Sequence, residues 1–118
     1  MRHQKKSKNI APTPGEHKSI MLNLMKALFV RGRVETTEER AKALKVASEK
    51  MITSAKTDSL HARREALKVL RDPEAVKTLF EKVAPACAER SGGYTRTVKS
   101  GFRRGDNASM VIVSLVKE

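Results

Sequence analysis

The sequence predicts an α+β domain in which about four helices pack on a small, mostly antiparallel sheet. Two observations predict this class. Apolar residues recur at helical spacing between Ile20 and Val83. After Gly92 and Gly93 the spacing changes to the alternation of a strand, and a second strand-like run closes the sequence. We assign residues 13–118 to this domain and residues 1–12 to a basic, extended N-terminal tail.

The first helix is predicted from its start signal and its apolar stripe. Thr13-Pro14-Gly15-Glu16 has the form of a capping box with proline at the first helical position. Gly32 is placed to end the helix, and a short extended piece, residues 33–35, follows it. The inward stripe consists of Ile20, Met21, Leu24, Leu28 and Phe29.

Three further helices are predicted between residues 36 and 85. Thr36 and Glu39 form a second capping box, Asp58 or Ser59 can cap a third helix, and Asp72-Pro73-Glu74 starts a fourth that Pro85 ends. The predicted inner faces are Ala41, Leu44, Ala47, Met51, Ile52 and Ala55, then Ala62, Ala66, Leu67 and Leu70, then Val76, Leu79, Phe80 and Val83.

The C-terminal third predicts an antiparallel hairpin. Strict alternation from Tyr94 to Phe102 places these two aromatic residues on the same face of the first strand. Gly105-Asp106-Asn107 has the composition of a turn. Residues 110–116 form the second strand, and because that strand is apolar on both faces we expect it in the centre of the sheet with helices on one side.

The positive charge of the chain is unevenly distributed. Among 118 residues there are 25 lysines and arginines against 13 aspartates and glutamates, a formal net charge of +12. Residues 1–33 carry +7, residues 34–89 carry +1 and residues 90–118 carry +4. Neither residues 1–15 nor residues 90–105 contain an acid. Unopposed charge of this kind predicts a polyanionic partner, and a phosphate backbone is the obvious one.

The sequence contains no set of residues typical of catalysis or metal binding. Cys87 is the only cysteine, which excludes an intrachain disulfide and favours a reducing, intracellular compartment. The three histidines are far apart and have no zinc-ligand spacing. Several carboxylates fall at predicted helix starts, where they act as caps or complement the helix dipole: Glu16, Glu38, Glu39, Asp58, Asp72 and Glu74. We therefore expect no enzyme activity, cofactor, metal or small-molecule substrate, and the absence of a long apolar run predicts no membrane span.

The segment from Arg90 to Arg104 is the strongest candidate for a nucleic-acid surface. The paired glycines allow the backbone to approach phosphate, while Tyr94 either stacks on a base or packs in the core. The plain alternative is an exposed strand whose cations face water. A DNA-binding regulator or nucleoid protein that uses residues 58–84 as a helix-turn-helix is a rival, although that stretch is charge-balanced. A small nuclease is a second rival, but paired metal-binding carboxylates are missing outside helix starts.

The sequence resembles the family of bacterial large-subunit ribosomal protein seventeen along essentially its whole length. The resemblance is carried by the order and spacing of short strings: Met1-Arg2-His3, Thr36-Thr37, Arg40-Ala41-Lys42, residues 52–58, Arg63-Arg64, Arg71-Asp72, residues 90–96, residues 101–108 and Met110. Residues 8–17 and 85–88 depart from the family pattern. The resemblance implies a structural protein without enzyme activity and a strand added by the segment before Thr36.

The resemblance also implies the partners, namely large-subunit ribosomal RNA and neighbouring large-subunit proteins, and a cytoplasmic location in that subunit. It maps the basic start of the family onto Arg2, His3, Lys5 and Lys6. Together with the charge pattern it predicts an RNA-binding set made of Arg2, His3, Lys5, Lys6, Lys8, His17, Lys18, Arg31, Arg33, Gly92, Gly93, Tyr94, Thr95, Arg96, Lys99, Arg103, Arg104 and Asn107.

Overall fold

Four helices and three strands form residues 14–116, the part of the chain that this computed structural model describes. The predicted tail, residues 1–12, and the Thr13 cap lie outside these residues. The order is α1 (Pro14–Arg31), β1 (Arg33–Thr37), α2 (Glu38–Ala55), α3 (Leu60–Leu70), α4 (Pro73–Thr78), β2 (Thr95–Phe102) and β3 (Ser109–Leu115). After α4 the chain continues through a π-helical turn, Leu79–Val83, and a last helical turn, Ala84–Ala86. The predicted α+β class is confirmed.

The sheet has the order β1-β3-β2, with both pairings antiparallel. The predicted hairpin is therefore present as β2 and β3, and β3 is the central strand as its two apolar faces indicated. The third strand, β1, is the one that only the family resemblance implied. Its Val34 lies opposite Val113 and its Thr36 opposite Val111.

The core lies between one face of this sheet and the helices. Val111 and Val113 of β3 are buried on that face, against α1 residues such as Leu28 and α2 residues such as Leu44 and Ile52. Each side chain of this size contributes about 1.5–3 kcal/mol when it is removed from water. Among the described residues no helix covers the other sheet face, because the four helices pack on the first face or on one another.

Most helix ends follow the signals in the sequence. Gly32 ends α1 with φ +90°, a conformation that glycine adopts freely, and its N–H donates to the Leu28 carbonyl oxygen at 2.8 Å. Ser59 caps α3, since its Oγ accepts from the Ala62 N–H at 3.1 Å. Asp72 caps α4 in the same way by accepting from the Glu74 N–H at 3.0 Å.

The predicted capping box at Thr36 is wrong. Thr36 belongs to β1, where it pairs with Val111 and its side chain is buried against the helices. Thr37 takes the N-cap position of α2, and its side chain makes no capping hydrogen bond. Pairing in the sheet therefore takes precedence over the local helix-start signal.

Two details of the third and fourth helices also differ from the prediction. Leu67 is 43% exposed, because the buried line of α3 runs through Ala66 and Leu70 and Leu67 lies about 100° from Ala66 around the helix. Pro85 does not end the last helix, which continues to Ala86. The π-helical turn before it is wider than an α-helical turn, and a widened turn leaves room for a proline ring that would otherwise clash with the preceding turn.

The strict alternation predicted from Tyr94 to Phe102 is wrong, because Tyr94 precedes β2 and the strand contains an extra residue. The register of β2 against β3 shifts between Lys99 and Gly101, so Ser100 is an extra residue in a β-bulge. The bulge reverses the alternation beyond it. Phe102 therefore lies opposite Ser109, on the face of Val111. It is 71% exposed at the end of the hairpin, whereas Tyr94, which packs against the end of α2, is only 2% exposed.

Candidate nucleic-acid interface

The open face of the sheet carries two arginines on either side of the central strand. Arg33 of β1 and Arg96 of β2 are both register partners of Ser114 in β3. Val113 points into the core, so Ser114 and its two partners point to the open face. We call Arg33, Ser114 and Arg96 the arginine row. Arg31 is also exposed. It is the last residue of α1 and lies two residues before Arg33 in the sequence.

The middle of the open face is mostly apolar and contains one carboxylate. Val98 and Glu35 both lie opposite Ile112, and Val98 is 52% exposed. Glu35 accepts a hydrogen bond from the Ser100 hydroxyl at 2.6 Å, which links β1 to β2 across β3. This bond holds the carboxylate toward the hairpin end of the sheet and away from the arginine row.

The hairpin turn forms a second cationic group at the far end of β2. The Arg103 N–H donates to the Ala108 carbonyl oxygen at 2.8 Å, and Asn107 has φ 58°, a left-handed conformation that asparagine tolerates well. Arg104 is exposed at the tip. Arg103 makes a two-pronged contact with Asp106, with Nε at 3.1 Å and Nη2 at 2.6 Å from the carboxylate oxygens.

Asp106 organises this turn electrostatically. Hydrogen bonding from Arg103, assisted by the N–H of Ala108, lowers the pKa of the Asp106 carboxyl to about 2. The carboxylate is thus ionised at neutral pH and orients Arg103 within the turn. Arg104 has no such partner within the described residues, so its charge is the one more available to a ligand.

The segment before β2 is held against the C-terminal part of α2. Gly92 and Gly93 are exposed, and Gly93 has φ +63°, a conformation that disfavours other residues. The Tyr94 hydroxyl donates to the Arg90 carbonyl oxygen at 3.4 Å, and the Lys56 ammonium group donates to the same oxygen. Lys56 Nζ also lies 4.6 Å from the centroid of the Tyr94 ring, a cation–π contact.

Tyr94 and Thr95 therefore lie at the edge of the core, with their side chains packed against α2. Of the two roles left open for Tyr94, the structure shows packing, since its ring is buried. Thr95 is buried as well, and its N–H and hydroxyl both donate to Glu49 Oε2, at 3.1 and 2.9 Å. Neither side chain presents a surface to a ligand in this conformation.

The other residues of the predicted RNA-binding set do not join the arginine row or the hairpin turn. Lys99 is exposed on β2, but it lies opposite Val111 and so points to the helix side of the edge strand. His17 and Lys18 are exposed near the start of α1, about 20 Å along the helix axis from Arg31. Arg2, His3, Lys5, Lys6 and Lys8 lie outside the described residues.

Packing also assembles cations that the sequence analysis did not select. Lys18 lines a groove between α1 and α3 together with Lys68 and Arg71. Lys68 and Arg71 lie in residues 34–89, where positive and negative charges nearly balance, so the charge distribution did not indicate them as candidate binding residues. Lys56 was passed over for the same reason, although its spacing from Glu49 and Thr53 places the three on one side of α2.

Within residues 14–116, no three histidine, cysteine, aspartate or glutamate side chains come together as a metal-binding group. Cys87 is buried, and burial raises the pKa of its thiol. No helix in the described part of the chain is long and apolar enough to cross a membrane.

The fold and this surface define a small, basic α+β protein whose cations lie along an open sheet face and a hairpin rather than around a catalytic centre. Residues 20–116 match the model of the family described as Ribosomal protein L17, and the chain belongs to that family. It is accordingly a structural protein of the large ribosomal subunit, and the family is not an enzyme family. The family expected from the sequence is confirmed.

Proposed function

We propose that this protein binds and stabilises large-subunit ribosomal RNA through its basic N-terminal segment and the basic parts of its sheet. The observation that carries the proposal is the grouping of Arg31, Arg33 and Arg96 at one end of the open face and of Arg103 and Arg104 at the other. Family membership supports it, because the family implies association with ribosomal RNA and with neighbouring large-subunit proteins.

The binding mechanism is mainly electrostatic. Each arginine that contacts a phosphate releases condensed counterions, and this release contributes to affinity irrespective of base sequence. The glycines before β2 leave the backbone open to the same phosphates, since nothing lies within 4 Å of where a side chain would begin at Gly92 or Gly93. The proposed cytoplasmic location and the absence of a small-molecule substrate follow from this role in the subunit.

The structure gives little support to the rival helix-turn-helix function. Two of the three cations on α3 are paired with acids: Arg63 Nε lies 2.8 Å from Asp58 Oδ1, and Lys68 Nζ lies 3.4 Å from Glu65 Oε2. A recognition helix needs exposed cations that are free to reach phosphates and base edges. The sheet and hairpin meet that requirement better than α3 does.

Binding of variants to purified large-subunit ribosomal RNA over a range of salt concentrations tests the proposal. We expect the triple variant Arg96→Ala, Arg103→Ala, Arg104→Ala to bind at least about a hundredfold more weakly, since hydrogen bonds to charged groups contribute about 1.5–3 kcal/mol each. Its log–log salt slope should also become shallower, by roughly 0.7–0.9 for each phosphate that the variant no longer binds.

The matched control is Arg64→Ala, Lys77→Ala, Lys82→Ala, which removes three exposed cations from the helical body. Arg63 is unsuitable as a control because it is paired with Asp58 and lies 4.8 Å from the centre of the Phe80 ring. Equal losses in the two triple variants would show that net charge, and not this surface, governs binding.

A further inference from the structure

We propose that Arg33 and Arg96 act as a clamp on a single RNA phosphate, seated over Ser114 at the end of the open sheet face. The inference deepens the function proposed above and rests on it. It adds a defined ligand group, one phosphodiester, and a defined pair of residues to a surface described so far only by its charge.

The sheet register places the two arginines symmetrically. Each lies directly opposite Ser114, one in β1 and one in β2, and their side chains point to the same face. Two strand spacings separate their Cα atoms by about 10 Å. Two arginine side chains that lean toward each other span such a gap, and the small Ser114 side chain between them leaves room for a phosphate and offers a hydroxyl donor.

The backbone on both sides of this site is fixed to the end of β3. The Leu115 N–H donates to the Gly32 carbonyl oxygen at 3.0 Å, one residue before Arg33. The next N–H, that of Val116, donates to the Tyr94 carbonyl oxygen at 2.8 Å, two residues before Arg96. Both arginines therefore extend from hydrogen-bonded segments, which reduces the ordering that ligand binding would require.

Within residues 14–116, no acidic side chain pairs with either arginine of the clamp. Neither Arg33 nor Arg96 has an ion pair or a side-chain hydrogen bond within residues 14–116. Glu35 lies on the same face, and its hydrogen bond with Ser100 directs the carboxylate toward the hairpin. Two guanidinium groups without acidic partners match the charge and the planar hydrogen-bonding geometry that phosphate recognition uses.

A double-mutant cycle on full-length protein and purified large-subunit ribosomal RNA tests the clamp. We expect Arg33→Ala and Arg96→Ala each to weaken binding about tenfold, and the double variant about thirtyfold, because both arginines hold the same phosphate. The double variant should lower the salt slope by only one phosphate, roughly 0.7–0.9. As a control, Arg96→Ala combined with Arg104→Ala should weaken binding about a hundredfold and lower the slope by about twice as much, since these arginines lie at opposite ends of β2.

Four results would overturn the clamp. Independent losses in the Arg33 and Arg96 cycle, with a slope change of two phosphates, would show separate contacts and leave the proposed function standing. Unchanged binding in both single variants would place the phosphate elsewhere. Unchanged RNA binding with weaker association to intact subunits would identify an acidic protein surface as the ligand. Absence of RNA binding by the wild-type protein would overturn the proposed function together with the clamp.

Discussion

Tyr94 and Thr95 lie in the basic, acid-free segment of residues 90–105, yet both side chains are buried. Their partners are Glu49, Thr53 and Lys56, which follow one another at intervals of four and three residues along one side of α2. This polar stripe fixes the start of β2, and with it the position of Arg96. Tyr94 thus packs against α2 and positions β2.

Removal of the Glu49 carboxylate should destabilise the fold. Glu49 accepts two hydrogen bonds from Thr95, which is buried, so Glu49→Ala leaves a buried N–H and a buried hydroxyl without their acceptor. We expect a loss of about 1–3 kcal/mol in the free energy of unfolding, measured by urea denaturation.

Glu49→Gln keeps one acceptor oxygen and should lose less than Glu49→Ala. Glu89→Ala is the control, since Glu89 is exposed, and it should change stability by less than about 0.5 kcal/mol. A Glu49→Ala variant as stable as this control would contradict the role assigned to Glu49.

At the scale of the element, the hairpin depends on its bulge and its turn. Alternation alone predicted the faces of β2 correctly as far as Lys99 but missed the extra residue Ser100, for which the local signal is Gly101, a glycine inside the strand with φ +134°. The bulge depends on how β2 pairs with β3, which is a contact between distant residues. The turn was predictable because Gly105-Asp106-Asn107 favours one by its own chemistry.

The hairpin should show a pH dependence that comes from Asp106. Its pKa of about 2 in the folded protein lies below the ordinary value of 3.8, because Arg103 donates to the carboxylate. The resulting stabilisation is complete above about pH 4 and is lost as the pH falls toward 2. We therefore expect Asp106→Asn to be less stable than the wild type at pH 7 and equally stable near pH 2.

Urea midpoints measured for both proteins between pH 7 and pH 2 check this expectation. Glu89→Gln serves as the control for the loss of one surface negative charge. A difference between wild type and Asp106→Asn that stays constant over the whole range would show that the ion pair with Arg103 does not stabilise the turn.

The helices show where local signals suffice and where they do not. The caps at Ser59 and Asp72 were predictable because each side chain bonds to its own helix start. Thr36 and Glu39 have the spacing of a capping box, but Thr36 pairs in β1 instead. That outcome is determined by Val111, 75 residues further along the chain, and no pattern around Thr36 contains it.

At the scale of the whole molecule, the sequence predicted the α+β class and the two basic regions, because composition and periodicity are summed over many residues. It did not predict that Arg33 and Arg96, which are 63 residues apart, lie on either side of Ser114. That arrangement requires the register of two strand pairings. The separation of His17 and Lys18 from this surface likewise follows from the length of α1 and not from charge.

We propose that the open sheet face and the hairpin form the RNA-binding surface of the described domain. Protein–RNA crosslinking in intact large subunits, with the crosslinked residues identified by mass spectrometry, tests it most directly. We expect crosslinks around Arg33 and between Gly92 and Arg104, and few on the outer surface of α3 and α4. Crosslinks concentrated on α3 and α4, with the sheet face and hairpin free of RNA, would contradict it.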